Sequence, residues 1–131
     1  MPTVLIETCQ EREPEAEVAI MDAVQSALVE AFKIPKNDRH VQFVVHLPHR
    51  MQCPPDRPHP ELFTQITIDA FAGRSVDAKR QLYAAIVDKL EPLGIARDHV
   101  LTILREHPAE NFGVRGGKAA CDIDLGFKVN V

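Results

Sequence analysis

The sequence predicts an α+β fold in which two strand–helix–strand units build one mixed four-stranded sheet, with both helices on the same face. Two observations predict it. Each half of the chain runs strand, helix, strand, and the second half repeats the first about 60 residues later. Residues 3–6 correspond to residues 64–67, and residues 34–41 loosely match residues 95–100. A chain of 131 residues also has the length of one domain with a genuine core.

The first half begins with the apolar run 4–6, which predicts a short buried strand. Residues 15–32 predict an amphipathic helix, because apolar side chains recur there at steps of three and four. These side chains are Val18, Met21, Val24, Leu28 and Phe32. Pro35 ends the helix, and the β-branched and aromatic residues within 40–47 predict the second strand.

The second half repeats this order after a proline-rich connector. Five of the ten prolines fall in residues 48–62, so this connector is neither a helix nor a central strand. Residues 63–72 alternate between apolar and polar side chains and predict a strand. Ser75 is well placed to cap a helix over residues 76–93, and residues 100–104 predict the fourth strand.

We therefore expect a single domain over residues 1–131. Within the C-terminal tail, residues 111–117 predict turns and residues 127–131 predict a last short strand. The expected parts are a first half at 1–47, the connector at 48–62, a second half at 63–106 and the tail at 107–131.

Composition excludes several classes of function. The net charge of −4 and the pI near 5.8 provide no general attraction to nucleic acid or to an anionic membrane, so neither is an expected partner. The three cysteines are odd in number and share no close spacing, which is typical of reduced thiols in a cytoplasmic protein. No signal peptide and no apolar run long enough to span a membrane is present, so the expected location is the cytoplasm.

The uncovered face of the sheet predicts self-association. Both helices are expected on one face, yet residues 41–45 are apolar on both faces of their strand. An exposed apolar sheet face is a typical protein–protein surface. We therefore expect a closed homo-oligomer.

The second residue carries the chemistry of greatest interest. Small residues after an initiator Met normally lead to its removal, and Pro2 would then begin the chain as a secondary amine. A free α-amino group has a pKa of about 7.7–8.0, and burial beside apolar groups and cations lowers it, so such an amine is available as a general base near neutral pH. The following strand would hold this nitrogen on a rigid element.

No cofactor is implied by the sequence. His46, His49, Cys53 and His59 form a group that could suggest zinc, but their spacing matches no closed structural site and prolines dominate the segment. Residues 113–117 are glycine-rich, but no strand–loop–helix context makes them a phosphate-binding loop. We therefore expect neither a metal nor a bound cofactor.

The order of the motifs resembles the tautomerase superfamily, whose members carry an amino-terminal proline. The resemblance depends on Pro2 at the start of a strand, the doubled strand–helix–strand unit, the turn 72–75 and the run 106–113 after the fourth strand. The length and the turn 34–39 resemble the branch that contains malonate semialdehyde decarboxylase and related uncharacterised proteins. The resemblance implies a trimer of doubled βαβ units with an active site at each amino-terminal proline.

The resemblance also implies roles for particular residues. Pro2 corresponds to the catalytic amine, Arg74 to the guanidinium that binds the substrate carboxylate, and Asp38 to the acid of the decarboxylase branch. Phe112 stands where the family usually has Trp and would form an apolar wall. Decarboxylase-like members have a second Arg two residues after the first, whereas this chain has Val76.

Each candidate residue also has a structural explanation. Many proteins begin with Met-Pro, Arg74 is placed where a solvated residue often starts a helix, and Asp38 is of a type common in turns. Arg115 is a candidate replacement for the missing second cation and a further candidate for substrate binding.

These residues favour a trimeric isomerase acting on a small 2-oxo acid or its enol, with Pro2 as base. Such a reaction needs a base of near-neutral pKa, a cation on the carboxylate and a dry wall, which Pro2, Arg74 and Phe112 can provide. Two alternatives stay open. One is decarboxylation or hydration of a three-carbon acid, and the other is a non-catalytic oligomeric domain that binds a small anion or a partner.

Overall fold

Each half of the chain contributes one pair of parallel strands to a single four-stranded sheet. The computed structural model describes residues 1–131. Its strands are β1 (Pro2–Thr8), β2 (Val41–Val45), β3 (Thr64–Phe71) and β4 (Val100–His107), and its helices are α1 (Pro14–Phe32) and α2 (Val76–Leu90). The strand order is β2-β1-β3-β4, with parallel pairs at the two sides and an antiparallel β1–β3 pair in the centre. The predicted α+β fold with two repeated units is confirmed.

The core lies between one face of the sheet and the two helices. Ile6 of β1 and Ile66 and Ile68 of β3 are fully buried, because both central strands turn alternate side chains towards the helices. Leu28 of α1 and Leu82 of α2 belong to the same core cluster, and their side chains are also fully buried. The core therefore fixes both central strands rigidly.

The helices differ from the sequence prediction in two details. The sequence prediction placed Val18 on the apolar stripe, but its side chain is 53% exposed. The buried face of α1 includes Ile20 and Ala27 instead. The last turn predicted for α2 is a 3-10 turn, Glu91–Leu93, because Pro92 lacks the N–H that an α-helical turn would use.

The predicted last strand over residues 127–131 is wrong. Phe127 and Val131 pack against the core, and the Val131 carbonyl accepts a hydrogen bond from the Ser75 N–H at 2.8 Å, so the tail bonds to the turn before α2 and to no strand. The tail does contain a short hairpin of β5 (Gly113–Val114) and β6 (Lys118–Ala119).

The second sheet face carries exposed apolar side chains. Leu101 and Ile103 of β4 and Val44 of β2 are among the most exposed large apolar residues of the chain. They lie on the face opposite the helices because side chains alternate along each strand.

No helix of the chain combines the length and the apolar character needed to cross a bilayer.

The strand register brings four chain segments to one end of the sheet. Pro2 pairs with Ala70, Ala70 pairs with Glu106, and Val4 pairs with Val41. The beginnings of β1 and β2 and the ends of β3 and β4 therefore meet at this end, which we call the Pro2 end.

Candidate active site

The amino terminus and Asp38 are in direct contact at the Pro2 end. Pro2 is buried at the start of β1, and the Met1 ammonium group lies 2.6 Å from Asp38 Oδ2. The Asp38 side chain is only 15% exposed. A carboxylate is therefore held beside the first residue of the chain.

Backbone hydrogen bonds hold the turn that carries Asp38. The Asp38 N–H donates to the Pro35 carbonyl at 3.0 Å, and buried Gln25 on α1 donates from Nε2 to the Asp38 carbonyl at 3.0 Å. A buried amide that satisfies a loop carbonyl fixes that loop against the helix. Asp38 is consequently presented by a rigid turn.

Arg74 follows β3 and is buried with most of its hydrogen-bonding capacity unused. The residue is 5% exposed, and its guanidinium lies 4.7 Å from the Phe32 ring centroid. Nη1 donates to the Phe71 carbonyl at 3.1 Å, whereas Nε and Nη2 are buried without any partner. Buried donors are normally satisfied, so these two inaccessible donors are an exception, and they lie on one edge of a planar group whose geometry matches a bidentate anion such as a carboxylate.

The electrostatics of Arg74 point the same way. Burial lowers the pKa of its guanidinium, and the carboxylates of Glu106 and Asp38 oppose that shift. Arginine stays charged in proteins, so Arg74 is a permanent buried cation. No carboxylate of the chain forms a hydrogen bond with it.

The turn before α2 fixes the position of Arg74. Gly73 has a φ of +136°, and a Cβ there would lie 2.5 Å from Asn130 Oδ1, so the turn accepts only glycine while the tail is seated. The Ser75 hydroxyl accepts a hydrogen bond from the Ala78 N–H at 3.1 Å, which confirms the predicted cap. Arg74 is thus clamped between a tail contact and a helix cap.

Phe112 forms an aromatic cluster at the same end of the sheet. Its ring packs edge-on against Phe71 at a centroid distance of 4.6 Å and lies 5.7 Å from the His107 ring. Phe71 provides the carbonyl that binds Arg74, so the aromatic cluster and the buried cation share one strand end. Aromatic side chains therefore lie close to the buried guanidinium of Arg74.

A cleft of about 510 Å³ opens beside the amino terminus. Met1, Asp38, His40, Arg115 and Phe127 are among its lining residues. Arg115 donates from Nη1 to the Asp124 carbonyl at 3.0 Å. The cleft therefore has a cation and a carboxylate on its wall, next to the residue that precedes Pro2.

The structure brings together part of the predicted site in one cleft. Asp38 and Arg115 line the cleft. Arg74 and Phe112 do not: Arg74 is buried in the interior, and Phe112 belongs to the aromatic cluster. Met1 lines the cleft, whereas the buried Pro2 that follows it does not.

Sequence reasoning missed His40 and Glu106. His40 lines the cleft, with Nε2 at 3.6 Å from Asp38 Oδ1, and its position two residues after Asp38 was the available signal. Glu106 pairs with Lys79 Nζ at 2.6 Å and acts on the pKa of Arg74. Only the strand register, which sets Glu106 beside Ala70, reveals its place.

No group of three or more His, Cys, Asp or Glu side chains is arranged to hold a metal ion. Two histidines of the group that could suggest zinc have carboxylate neighbours: His46 lies 2.8 Å from Glu7, and His59 lies 3.5 Å from Glu61.

Comparison with known proteins identifies the family. The profile of a family described as tautomerase enzyme matches residues 38–115, which is more than half of the chain. The chain belongs to the tautomerase family. No curated protein matches the full sequence significantly.

Solved structures agree with this membership of the tautomerase superfamily. FG41 malonate semialdehyde decarboxylase inhibited by 3-bromopropiolate is 29% identical, with a TM-score of 0.81 over 89% of this chain and 92% of that chain. A wild-type fused 4-OT that forms a symmetric trimer is 22% identical, with a TM-score of 0.76 over 91% of this chain and 96% of that chain. A member of the cis-3-chloroacrylic acid dehalogenase family is 21% identical, with a TM-score of 0.77 over 90% of this chain and 82% of that chain. The tautomerase fold is thus shared with proteins of several activities.

Proposed function

We propose that this tautomerase-family chain catalyses keto–enol proton transfer on a small 2-oxo acid, with the free amine of Pro2 as general base. The observation that carries the proposal is the pair of unpartnered donors on buried Arg74, at the same end of the sheet as Pro2. A bidentate carboxylate on Nε and Nη2 would hold the acid group of the substrate.

The reaction then follows from the surrounding groups. With the substrate carboxylate on Arg74, its neighbouring keto or enol group extends towards the start of β1, where the Pro2 amine takes up and returns the proton. Phe112 and Phe71 pack edge-on against each other at this end of the sheet, and an apolar wall beside the amine would disfavour its charged form. Arg115 on the cleft wall is a second cation for a polar substrate end.

Met1 decides whether this base exists. While Met1 is attached, the Pro2 nitrogen is an amide and Asp38 is paired with the Met1 ammonium group. We expect protein whose intact mass shows loss of Met1 to ketonise phenylenolpyruvate, and protein retaining Met1 to be inactive. Equal turnover by the two preparations would contradict the assignment of Pro2 as base.

A decarboxylase or hydratase activity on a malonate-semialdehyde-like acid is the second candidate. Two observations favour it: Asp38 contacts the amino terminus, and the 29% identical neighbour is a malonate semialdehyde decarboxylase. The residue two positions after Arg74 is Val76, which is exposed and uncharged, so no second guanidinium stands at that position. This difference favours tautomerisation as the first candidate.

We further propose that three copies associate through the open sheet face, as in the trimeric fused 4-OT neighbour. Ile103→Lys places a charge among the exposed apolar side chains of β4, and burial of an unpaired charge is costly. We expect the wild-type mass in analytical ultracentrifugation to be three times 14.6 kDa and the variant to shift to smaller species. Lys128→Ala, outside that face, serves as control, and a monomeric wild type would contradict the proposal.

A further inference from the structure

The proline-rich connector crosses the end of β1. It joins β2 to β3, and these two strands lie on opposite sides of β1 in the sheet. Thr8, the last residue of β1, pairs with Val45 at the end of β2. Its neighbour Glu7 pairs with Gln65 at the start of β3. The connector therefore passes across the carboxyl end of β1, at the opposite end of the sheet from the Pro2 end.

Cys9 follows directly after β1 and contacts the connector. Its Sγ atom donates to the Glu61 carbonyl at 3.5 Å, across 52 residues of sequence. Cys53 lies within the connector, where its Sγ atom donates to the Met51 carbonyl at 3.8 Å. Both cysteines are free thiols and are partly exposed. A small oxidant in solution can therefore reach the pair.

The two thiols are neighbours in the folded chain. Burial raises the pKa of the Cys53 thiol, and the charge and the hydrogen bond of the Cys9 side chain raise it further. A hydrogen bond between side chains acts only at contact distance, so the two sulfur atoms lie close together. The raised pKa makes Cys53 a poor first nucleophile, because the thiolate is the form that attacks an oxidant.

A guanidinium lies beside Cys9. Burial lowers the pKa of Arg12, and the charges of Glu17 and Cys9 oppose that shift. Arg12 Nη1 donates to the Gln10 carbonyl at 3.3 Å, which holds this side chain against the turn after β1. Reactive cysteines are typically partly exposed and close to a cation, and Cys9 has both properties.

We propose that Cys9 and Cys53 form a reversible disulfide in response to hydrogen peroxide, and that this bond locks the connector onto the end of β1. Neither cysteine takes part in the proposed proton transfer at the Pro2 end, so the lock does not depend on that reaction. A disulfide also keeps both sulfurs from further, irreversible oxidation.

Each step of the oxidation balances. The Cys9 thiolate attacks one oxygen of hydrogen peroxide, so an S–O bond forms, the O–O bond breaks, and the leaving hydroxide takes up a proton to become water. The sulfur of Cys53 then attacks the sulfenic acid of Cys9. An S–S bond forms, the S–O bond breaks, and the proton of Cys53 leaves with the hydroxyl group as a second water. The two thiols lose two electrons in total, and the peroxide gains them.

The third cysteine provides an internal control. Cys121 is exposed, and its Sγ atom donates to Asp122 Oδ1 at 3.8 Å. Reduced wild-type protein is treated with hydrogen peroxide, quenched with an alkylating reagent and mapped by mass spectrometry without reduction. We expect the three alkylated thiols to fall to one, at Cys121. The thiols of Cys9 and Cys53 should disappear at least about tenfold faster than that of Cys121, and dithiothreitol should restore them.

Substitutions separate the two steps. Cys53→Ser should accumulate a sulfenic acid on Cys9 that dimedone traps, and Cys9→Ser should leave Cys53 reduced. Cys121→Ser is the matched control and should form the disulfide as wild type does. Equal oxidation rates for all three thiols, or disulfides that join separate chains, would overturn the proposed pair.

Hydrogen exchange tests the lock itself. In the oxidised wild-type protein, amides of residues 48–62 should exchange at least about threefold more slowly than in the reduced protein, because the cross-link limits local opening of the connector. The same peroxide treatment of Cys9→Ser should leave their exchange unchanged. A Cys9–Cys53 disulfide without slower exchange in the connector would overturn the lock.

Discussion

Replacing Pro2 by Ala is expected to lower kcat for phenylenolpyruvate ketonisation by about 10²-fold or more, within the range for loss of a general base. The variant keeps an amino-terminal nitrogen, but a primary amine on a flexible residue is no longer held by a ring at the start of β1. Steady-state kinetics on protein of verified mass measure the effect.

Thr3→Ala is the matched control for the Pro2 substitution. Thr3 lies in the next position of β1, half-buried on the opposite side of the strand, and its loss leaves the proline amine intact. We expect its kcat to stay within about twofold of wild type, as for most substitutions away from reacting groups. Turnover by Pro2→Ala at the wild-type rate would remove Pro2 from the mechanism.

Replacing Arg74 by Met should change activity and stability in different directions. Loss of two charge-assisted bonds to the substrate carboxylate, each contributing about 1.5–3 kcal/mol, should lower kcat/KM by at least about 10²-fold. The same change removes a buried cation with two unpartnered donors, while the Met side chain keeps much of the packing against Phe32.

We therefore expect the Tm of Arg74→Met to equal or exceed that of wild type, in a calorimetric scan run beside the kinetics. Exposed Arg80, paired with Asp77 on α2, is the control, because Arg80→Met removes the same charge without touching the buried site. A large fall in Tm with unchanged kcat/KM would show that Arg74 is structural.

The fold was predictable because local and global signals agree. Apolar periodicity located both helices, and the repeat of strand, helix and strand indicated two units in one mixed sheet. The central pairing of β1 with β3 is visible only in the structure. Val18 was misplaced because periodicity over a few residues does not fix the helix orientation to better than one position.

The tail was less predictable for a different reason. Residues 127–131 alternate apolar and polar side chains as a strand does, but the hydrogen-bond partner of the Val131 carbonyl is the Ser75 N–H, on a turn distant in sequence. Composition does not specify such a partner.

Individual residues of the candidate site were named from the sequence, but their arrangement was not. Pro2, Asp38 and Arg74 were named from the resemblance, whereas the unpartnered donors of Arg74 required the packing of Phe32 to become visible. His40 and Glu106 were missed since their placement depends on strand register and on the direction of a turn.

The site of labelling by 3-bromopropiolate, an electrophilic carboxylate, shows whether Pro2 is the reactive amine. We expect one covalent adduct per chain, located by peptide mass spectrometry on the nitrogen of an amino-terminal Pro2. We expect Arg74→Met to lose it, because the carboxylate then has no anchor. Adducts on cysteines alone, or an amino-terminal peptide that still carries Met1 and no label, would contradict it.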